Sequence, residues 1–178
     1  TTDDGRFLII TTTKGTAPKY RVSYKDLSKP GSKVVDLVDN FDAGYDFIDN
    51  IGSVFYFSTD RKAPRKRIVA IDVNKPLEAN WKEIVAESAD TLAGADIINN
   101  QLVLEYLKDA RSVVRVHDLQ GKLVREVKLP GIGTVGGLSG KRHETETFYS
   151  FAGFTTPTTI YRLNLKNGES TVFRQPKV

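Results

Sequence analysis

The chain has 178 residues, of which 39% are hydrophobic and 10% aromatic, a composition that supports a folded core and argues against disorder. The absence of cysteine excludes disulfides, thiolate metal sites and a cysteine nucleophile, but fits both the cytoplasm and a bacterial periplasm. The net charge of +4 comes from 26 basic and 22 acidic residues that are scattered along the chain, and no stretch approaches the roughly 18 apolar residues of a membrane-spanning helix. Composition therefore indicates no nucleic-acid partner and no membrane partner.

The first part of the chain predicts three short β-strands, each rich in β-branched and aromatic residues and bounded by turn residues. They cover residues 6–12, 20–27 and 33–37. The next part predicts four strands, at residues 45–51, 54–59, 67–73 and 81–87. We name the strands of a complete set A, B, C and D in chain order.

The second half of the chain predicts two more sets of four strands. The third set covers residues 92–98, 102–108, 113–119 and 123–129, with Gln120-Gly121 as a tight turn between strands C and D. The fourth set covers residues 133–140, 147–153, 158–165 and 170–174, and Asn167-Gly168 occupies the equivalent turn.

An internal repeat accompanies these sets. A short polar residue recurs every 46 residues at the end of strand C and is followed each time by an apolar one; the four are Asp26, Asp72, Asp118 and Asn164. A fixed period of this size with four strands per repeat indicates a β-propeller, in which each unit is one blade.

The sequence therefore predicts an all-β fold, a β-propeller segment of about four four-stranded antiparallel blades. Their approximate limits are residues 1–40, 41–88, 89–130 and 131–178. The first blade lacks its inner strand A, which we expect to lie before Thr1, because an unpaired inner edge is rarely tolerated. We therefore expect the chain to be a fragment of a larger protein.

A search for catalytic residues finds little within the chain. The segment Gly136-Gly137-Leu138-Ser139-Gly140 lacks the spacing of a nucleophile elbow and falls on strand A of the fourth blade, where small residues favour close packing. His117 and Asp118 are neighbours on one strand, so their side chains are expected on opposite faces. His143, in a charged turn, is not part of a zinc motif. The sequence predicts no metal site and no cofactor.

Three further features are interpreted as structural. The repeated Asp or Asn is expected to bond the backbone amides of the following turn. Trp81 shares a repeat column with Val35, Val127 and Phe173, which favours packing between blades over a ligand platform. The basic cluster at residues 61–67 has no interleaved aromatic residue and is interpreted as a solvated loop.

Several segments, in order along nearly the whole chain, resemble the propeller of the prolyl oligopeptidase family, also called prolyl endopeptidases. They are Thr2-Asp3-Asp4-Gly5-Arg6-Phe7, Asp39-Asn40-Phe41, Gly52-Ser53-Val54-Phe55-Tyr56-Phe57, and Leu138-Ser139-Gly140 together with residues 146–154. Single pieces such as the Asp-Asp-Gly-Arg turn are common in propellers, whereas the ordered set is more specific.

The resemblance implies a serine peptidase that cleaves short peptides after proline and consists of an α/β-hydrolase domain capped by a seven-bladed propeller. The Ser, Asp and His of such an enzyme lie in the hydrolase domain, so this chain alone is expected to be inactive. By position in the family, Thr13 and Thr16 are the candidate substrate-proximal residues, although family members can carry Arg and Cys there. The implied partners are the hydrolase domain of the same protein and short proline-containing peptides.

Two other readings of the sequence remain. One is a stand-alone propeller that serves as a protein-interaction module, although the Gly-His and Trp-Asp signature of WD repeats is missing. The other is a small-molecule enzyme of propeller form, for which strand A offers few ligands, chiefly Asp46, Asp49 and Asp96.

Overall fold

The computed structural model describes residues 1–176 and divides the chain into two compact units, residues 1–88 and the chain from Ala89 onward. Each unit contains two antiparallel sheets in which consecutive strands are neighbours. The all-β prediction is confirmed. Among the described residues, no helix is long and apolar enough to cross a membrane.

The first unit holds a three-stranded and a four-stranded sheet. The strands of the three-stranded sheet are β1 Phe7–Thr13, β2 Tyr20–Asp26 and β3 Val35–Val38. Those of the four-stranded sheet are β4 Tyr45–Ile51, β5 Val54–Thr59, β6 Arg67–Asp72 and β7 Lys82–Val85, with a short 3-10 helix, Glu78–Asn80, before β7. The prediction of three strands in the first blade is confirmed.

The second unit holds two four-stranded sheets. The first consists of β8 Thr91–Ile98, β9 Gln101–Lys108, β10 Arg111–Asp118 and β11 Leu123–Glu126. The second consists of β12 Gly133–Ser139, β13 Glu146–Gly153, β14 Thr159–Asn164 and β15 Ser170–Arg174. These strands agree with the predicted ones to within a few residues at each end.

The largest departures from the predicted strands concern the outermost strand D. Trp81 lies outside β7 because the 3-10 helix continues to it, with the Trp81 amide donating to the Glu78 carbonyl at 3.0 Å. In the first sheet, a turn in which the Ser32 amide donates to the Lys29 carbonyl at 3.1 Å delays β3 to Val35. Hydrogen bonds within local turns thus shorten these edge strands, because an edge strand has a neighbouring strand on one side only.

Every sheet contains a register shift between strands C and D. The shifts fall at Val22/Ser23, Ile68/Val69, Val116/His117 and Ile160/Tyr161. A bulge adds a residue to one strand and increases the local right-handed twist. A bulge between strands C and D is therefore a second feature, besides the polar residue at the end of strand C, that the four sheets share.

The repeated polar residue at the end of strand C performs the same function in all four sheets. Its side-chain oxygen accepts a hydrogen bond from the backbone amide two residues later, at 3.0, 3.0, 3.0 and 2.9 Å in chain order. The acceptors are those of Asp26, Asp72, Asp118 and Asn164. The predicted architectural role is confirmed, because an Asp or Asn oxygen at this position closes an Asx turn.

The core of each unit lies between its two sheets. In the first unit, Phe7 of β1 and Phe55 of β5 meet edge to face, with ring centroids 4.8 Å apart. In the second, Val103 and Val116 of one sheet belong to the same buried cluster as Tyr149 of the other. Strands B and C supply most of these residues, and in the four-stranded sheets each of these strands has a neighbour on both sides.

Candidate functional site

The end of β1 and the loop that follows it, together called the Thr13 loop, carry the two candidate residues, Thr13 and Thr16. Thr13 is the last residue of β1 and is paired with Tyr20, whereas Thr16 lies in the loop just after Gly15, whose φ is 61°. Both threonines are exposed. The loop therefore presents two hydroxyl groups to solvent at one end of the first sheet.

An open groove of about 520 Å³ runs beside this loop, between β1 and β4 of the first unit. Thr13 lines the groove, but Thr16 does not. The residues lining it are Thr1, Ile9, Thr11, Thr13, Tyr20, Tyr45, Asp46 and Phe47. Among the others, the sequence pointed only to Asp46, as a possible ligand, although the alternation of Ile9, Thr11 and Thr13 along β1 places them on one face of the strand.

The connection between the two sheets of the first unit fixes this end of the unit. The Gly44 amide donates to Asp60 Oδ1 at 2.7 Å, and Thr59 Oγ1 donates to the Gly44 carbonyl at 2.6 Å. The preceding carbonyl, that of Ala43, accepts from the Tyr20 amide at 2.9 Å. These bonds tie the base of the Thr13 loop to the loop that follows β5.

The basic cluster at residues 61–67 is largely neutralised by acidic residues of the same unit. Arg61 bonds Asp42 and also Glu78, the latter at 2.7 Å, and Lys62 contacts Glu78 at 2.8 Å. Two further pairs, Lys66 with Asp46 and Arg67 with Glu83, are each 2.7 Å apart. This pairing agrees with the interpretation of the cluster as a solvated loop.

Charge pairing around Arg61 shifts the titration of its neighbours. Hydrogen bonds from Arg61 and Lys62 lower the pKa of Glu78 to about 2. Burial, followed by the Asp42 carboxylate, raises the pKa of Tyr45, whose hydroxyl donates to Asp42 at 3.1 Å. At neutral pH the Glu78 carboxylate is therefore ionised and the Tyr45 phenol is neutral.

The network predicts a pH-dependent stability difference for Glu78→Gln. Because the folded pKa of Glu78 lies below its ordinary value of 4.5, its contribution is complete above that value and disappears as the pH falls through about 2. We expect Glu78→Gln to lower the unfolding free energy at pH 7 by about 1 kcal/mol, a figure discounted for the exposure of this carboxylate.

Urea unfolding at a series of pH values measures this difference. The matched control is Glu146→Gln, because the Glu146 carboxylate lies 3.9 Å from Arg162 and forms a weaker pair. The unfolding free energy of this control variant should differ from that of the parent protein by less than about 0.3 kcal/mol. A Glu78→Gln difference that persists unchanged at pH 2 would show that the ion pairs do not cause it.

The remaining sequence motifs occupy structural positions. Ser139 ends β12, and its carbonyl accepts from Thr147 Oγ1 at 2.7 Å. At Gly140, an added Cβ would lie 3.2 Å from the Ile98 side chain, so the small residue permits close approach of β8 and the end of β12. His117 is buried, and its Nδ1 lies 3.0 Å from the Gly121 carbonyl.

Trp81 packs against the core of the first unit, as predicted. Its ring meets that of Tyr45 edge to face at 6.1 Å, and its Nε1 donates to the Pro76 carbonyl at 2.9 Å. Across residues 1–176, no group of three or more His, Asp or Glu side chains has the arrangement of a metal site.

The fold defines the class of protein to which this chain belongs. Consecutive meander sheets with recurrent bulges and Asx turns form a segment of a β-propeller. The prolyl oligopeptidase N-terminal β-propeller domain matches residues 1–176. The chain belongs to this family.

Individual relatives agree with this assignment. The chain is 33% identical to a prolyl endopeptidase of Elizabethkingia miricola and 34% identical to one of Elizabethkingia meningoseptica, each over 99% of this chain and 25% of the relative. A solved prolyl endopeptidase structure superimposes with a TM-score of 0.90 at 36% identity, over 99% of this chain and 26% of that one.

A more distant structure supports the fold alone. Apo prolyl oligopeptidase B from Galerina marginata superimposes with a TM-score of 0.90 at 24% identity, covering all of this chain and 26% of that protein. The chain therefore spans about a quarter of the length of the relatives it matches.

Proposed function

We propose that this chain is part of the propeller of a serine peptidase that cleaves short peptides after proline. The observation that carries the proposal is the family match across residues 1–176, together with relatives named prolyl endopeptidases. The propeller partners an α/β-hydrolase domain of the same protein, and that domain supplies the nucleophile, the base and the orienting carboxylate.

The propeller contributes selection and gating. A domain that covers an active site admits flexible peptides and sterically excludes folded proteins, and its closure removes water from the site. One solved relative has been described in terms of a role for inter-domain dynamics in catalysis and specificity, which supports a gate that opens and closes.

Within this chain, the Thr13 loop is the proposed contact with the peptide. Thr13 and Thr16 are exposed, and the groove that Thr13 lines offers apolar surface from Ile9 and Phe47 beside the hydroxyl group of Thr11. Such a surface suits an extended peptide with apolar side chains, because its hydroxyl groups hydrogen-bond the peptide backbone.

The location of the nucleophile can be tested with a fluorophosphonate probe, which reacts covalently with activated serines. We expect the complete protein that contains this chain to be labelled, since its hydrolase domain carries the nucleophile. The 178-residue chain alone should remain unlabelled, because its Ser139 is placed in a strand and not on a nucleophile elbow.

Peptide mapping of the labelled protein supplies the control, because the modified serine must lie outside the sequence of this chain. Labelling of Ser139, or of any other serine within the chain, would contradict the proposed division between the two domains.

A further inference from the structure

A second concavity lies at the opposite end of the first sheet from Thr13. It has a volume of about 190 Å³ and lies between the turn after β2 and the start of the β6–β7 connection, at Val73 and Asn74. Since β1 has seven residues at about 3.3 Å each, this pocket is about 20 Å from Thr13. It is therefore separate from the groove of the proposed substrate surface.

The pocket has a net positive charge. Its walls include the cations Arg6, Lys29 and Lys33, and Asp26 is the one carboxylate among the residues lining it. Asp26 is already well provided with donors, because Ser28 bonds its Oδ1, while Arg6 and Lys29 lie 3.3 and 3.8 Å from its Oδ2. Three cations and one carboxylate leave a net charge of +2 facing the pocket.

The pocket also has donor capacity that the protein does not use. Arg6 Nε is buried, so the donors that an anion can reach are the partly exposed amino groups of Arg6 and the ammonium groups of Lys29 and Lys33. The guanidinium lies over the Phe7 ring, 4.6 Å from its centroid, which restricts its orientation. Lys33 is exposed and enters no ion pair within the described part of the chain. An ordered guanidinium and a nearby ammonium form the donor set that binds tetrahedral oxyanions.

We propose that this pocket binds a small dianionic oxyanion such as phosphate. The volume equals that of about six water molecules at ~30 Å³ each, so a phosphate group fits together with bridging water. Arg6, Lys29 and Lys33 lie beside the strands of the first sheet, whereas Val73 and Asn74 follow β6 of the second. A bound anion therefore lies where the two blades of the first unit meet and is held by the cations of the first blade.

Isothermal titration calorimetry of the complete protein with inorganic phosphate at pH 8 tests the proposal, with ionic strength held constant by potassium chloride. The informative variant is Lys33→Gln, because Lys33 has no partner to lose and the fold should be preserved. Lys82→Gln removes the same charge from an exposed position of β7 in the same unit and is the matched control.

We expect saturable phosphate binding that Lys33→Gln weakens about fivefold and Lys82→Gln leaves unchanged, consistent with the loss of one close charge. Sulfate should compete with phosphate, whereas acetate, a planar monoanion, should not. Absence of saturable binding, equal affinity of the two variants, or equally strong binding of acetate would each overturn the proposal.

Hydrogen–deuterium exchange locates the site independently. Phosphate should slow exchange in the peptides around residues 27–35 and 72–76 of the parent protein, and the effect should be reduced in Lys33→Gln. Slowing that is confined to peptides elsewhere in the protein would place the anion outside this pocket and contradict the proposal.

Discussion

Replacing Phe55 with alanine is expected to destabilise the first unit more than the removal of an equally large side chain at another position. Phe55 is fully buried in β5 and makes edge-to-face contacts with three rings, those of Phe7, Tyr24 and Phe47, at centroid distances of 4.8, 5.5 and 5.6 Å. Phe7 and Tyr24 belong to the first sheet and Phe47 to the second, so one side chain holds both sheets together.

The expected cost of Phe55→Ala is about 3–5 kcal/mol, since the substitution removes buried area and leaves a cavity that rigid neighbouring strands cannot fill. In the complete protein, hydrogen–deuterium exchange of the slowest amides in β5 and β6 should accelerate on the order of 10²- to 10⁴-fold.

Phe154→Ala is the matched control, because the Phe154 side chain is fully exposed and the substitution deletes the same atoms. It should leave exchange in both units within about twofold of the parent. If the amides of β5 and β6 exchange at the same rate in the Phe55→Ala and Phe154→Ala variants, the aromatic cluster does not hold the two sheets together.

The second large effect concerns access to the active site of the complete protein. A short peptide with one internal proline should be cleaved, whereas the same sequence placed in a surface loop of a folded protein should react more slowly by on the order of 100-fold or more. The expectation follows from the proposed gating role, because a propeller that caps a hydrolase domain would enclose the bond in a cavity that a folded protein cannot enter.

The measurement compares initial cleavage rates of the two substrates by mass spectrometry. A protease with an open active site provides the control, since its cleavage of the loop shows that the bond is exposed in the folded protein. Equal cleavage of peptide and loop by the complete protein would contradict a gating role for the propeller.

The repeat made the architecture predictable from sequence. Asp26, Asp72, Asp118 and Asn164 gave the period, and the chemistry of a short side chain with an oxygen acceptor explained each one without knowledge of its neighbours. Local hydrogen bonds of this kind span two residues, so they can be inferred from the sequence directly.

The bulges and the ion pairs could not be predicted in the same way. A bulge such as the one at Ile68/Val69 depends on the register of two strands, and alternation of side chains within one strand does not encode it. The partners of the basic cluster lie far away in the sequence: Asp42 is 19 residues from Arg61, and Glu78 is 17. Their pairing depends on how the strands fold back on each other.

The candidate site could be predicted from the sequence only in part. Thr13 was singled out by the family resemblance and expected in the loop after a strand ending at residue 12, whereas it ends β1, and the groove beside it depends on the approach of β4, which contributes Tyr45 and Phe47. The positive pocket around Arg6 is also formed by two sheets. Surfaces assembled from separate blades require the tertiary structure.

The most direct test of the central claim is the cleavage of two short peptides that differ only by alanine in place of one internal proline. After incubation with the complete protein, mass spectrometry identifies the bond that is cut. We expect cleavage on the carboxyl side of proline, with the alanine peptide cut at least about 100-fold more slowly. Equal cleavage of the two peptides, or cleavage of neither, would contradict the proposed proline specificity.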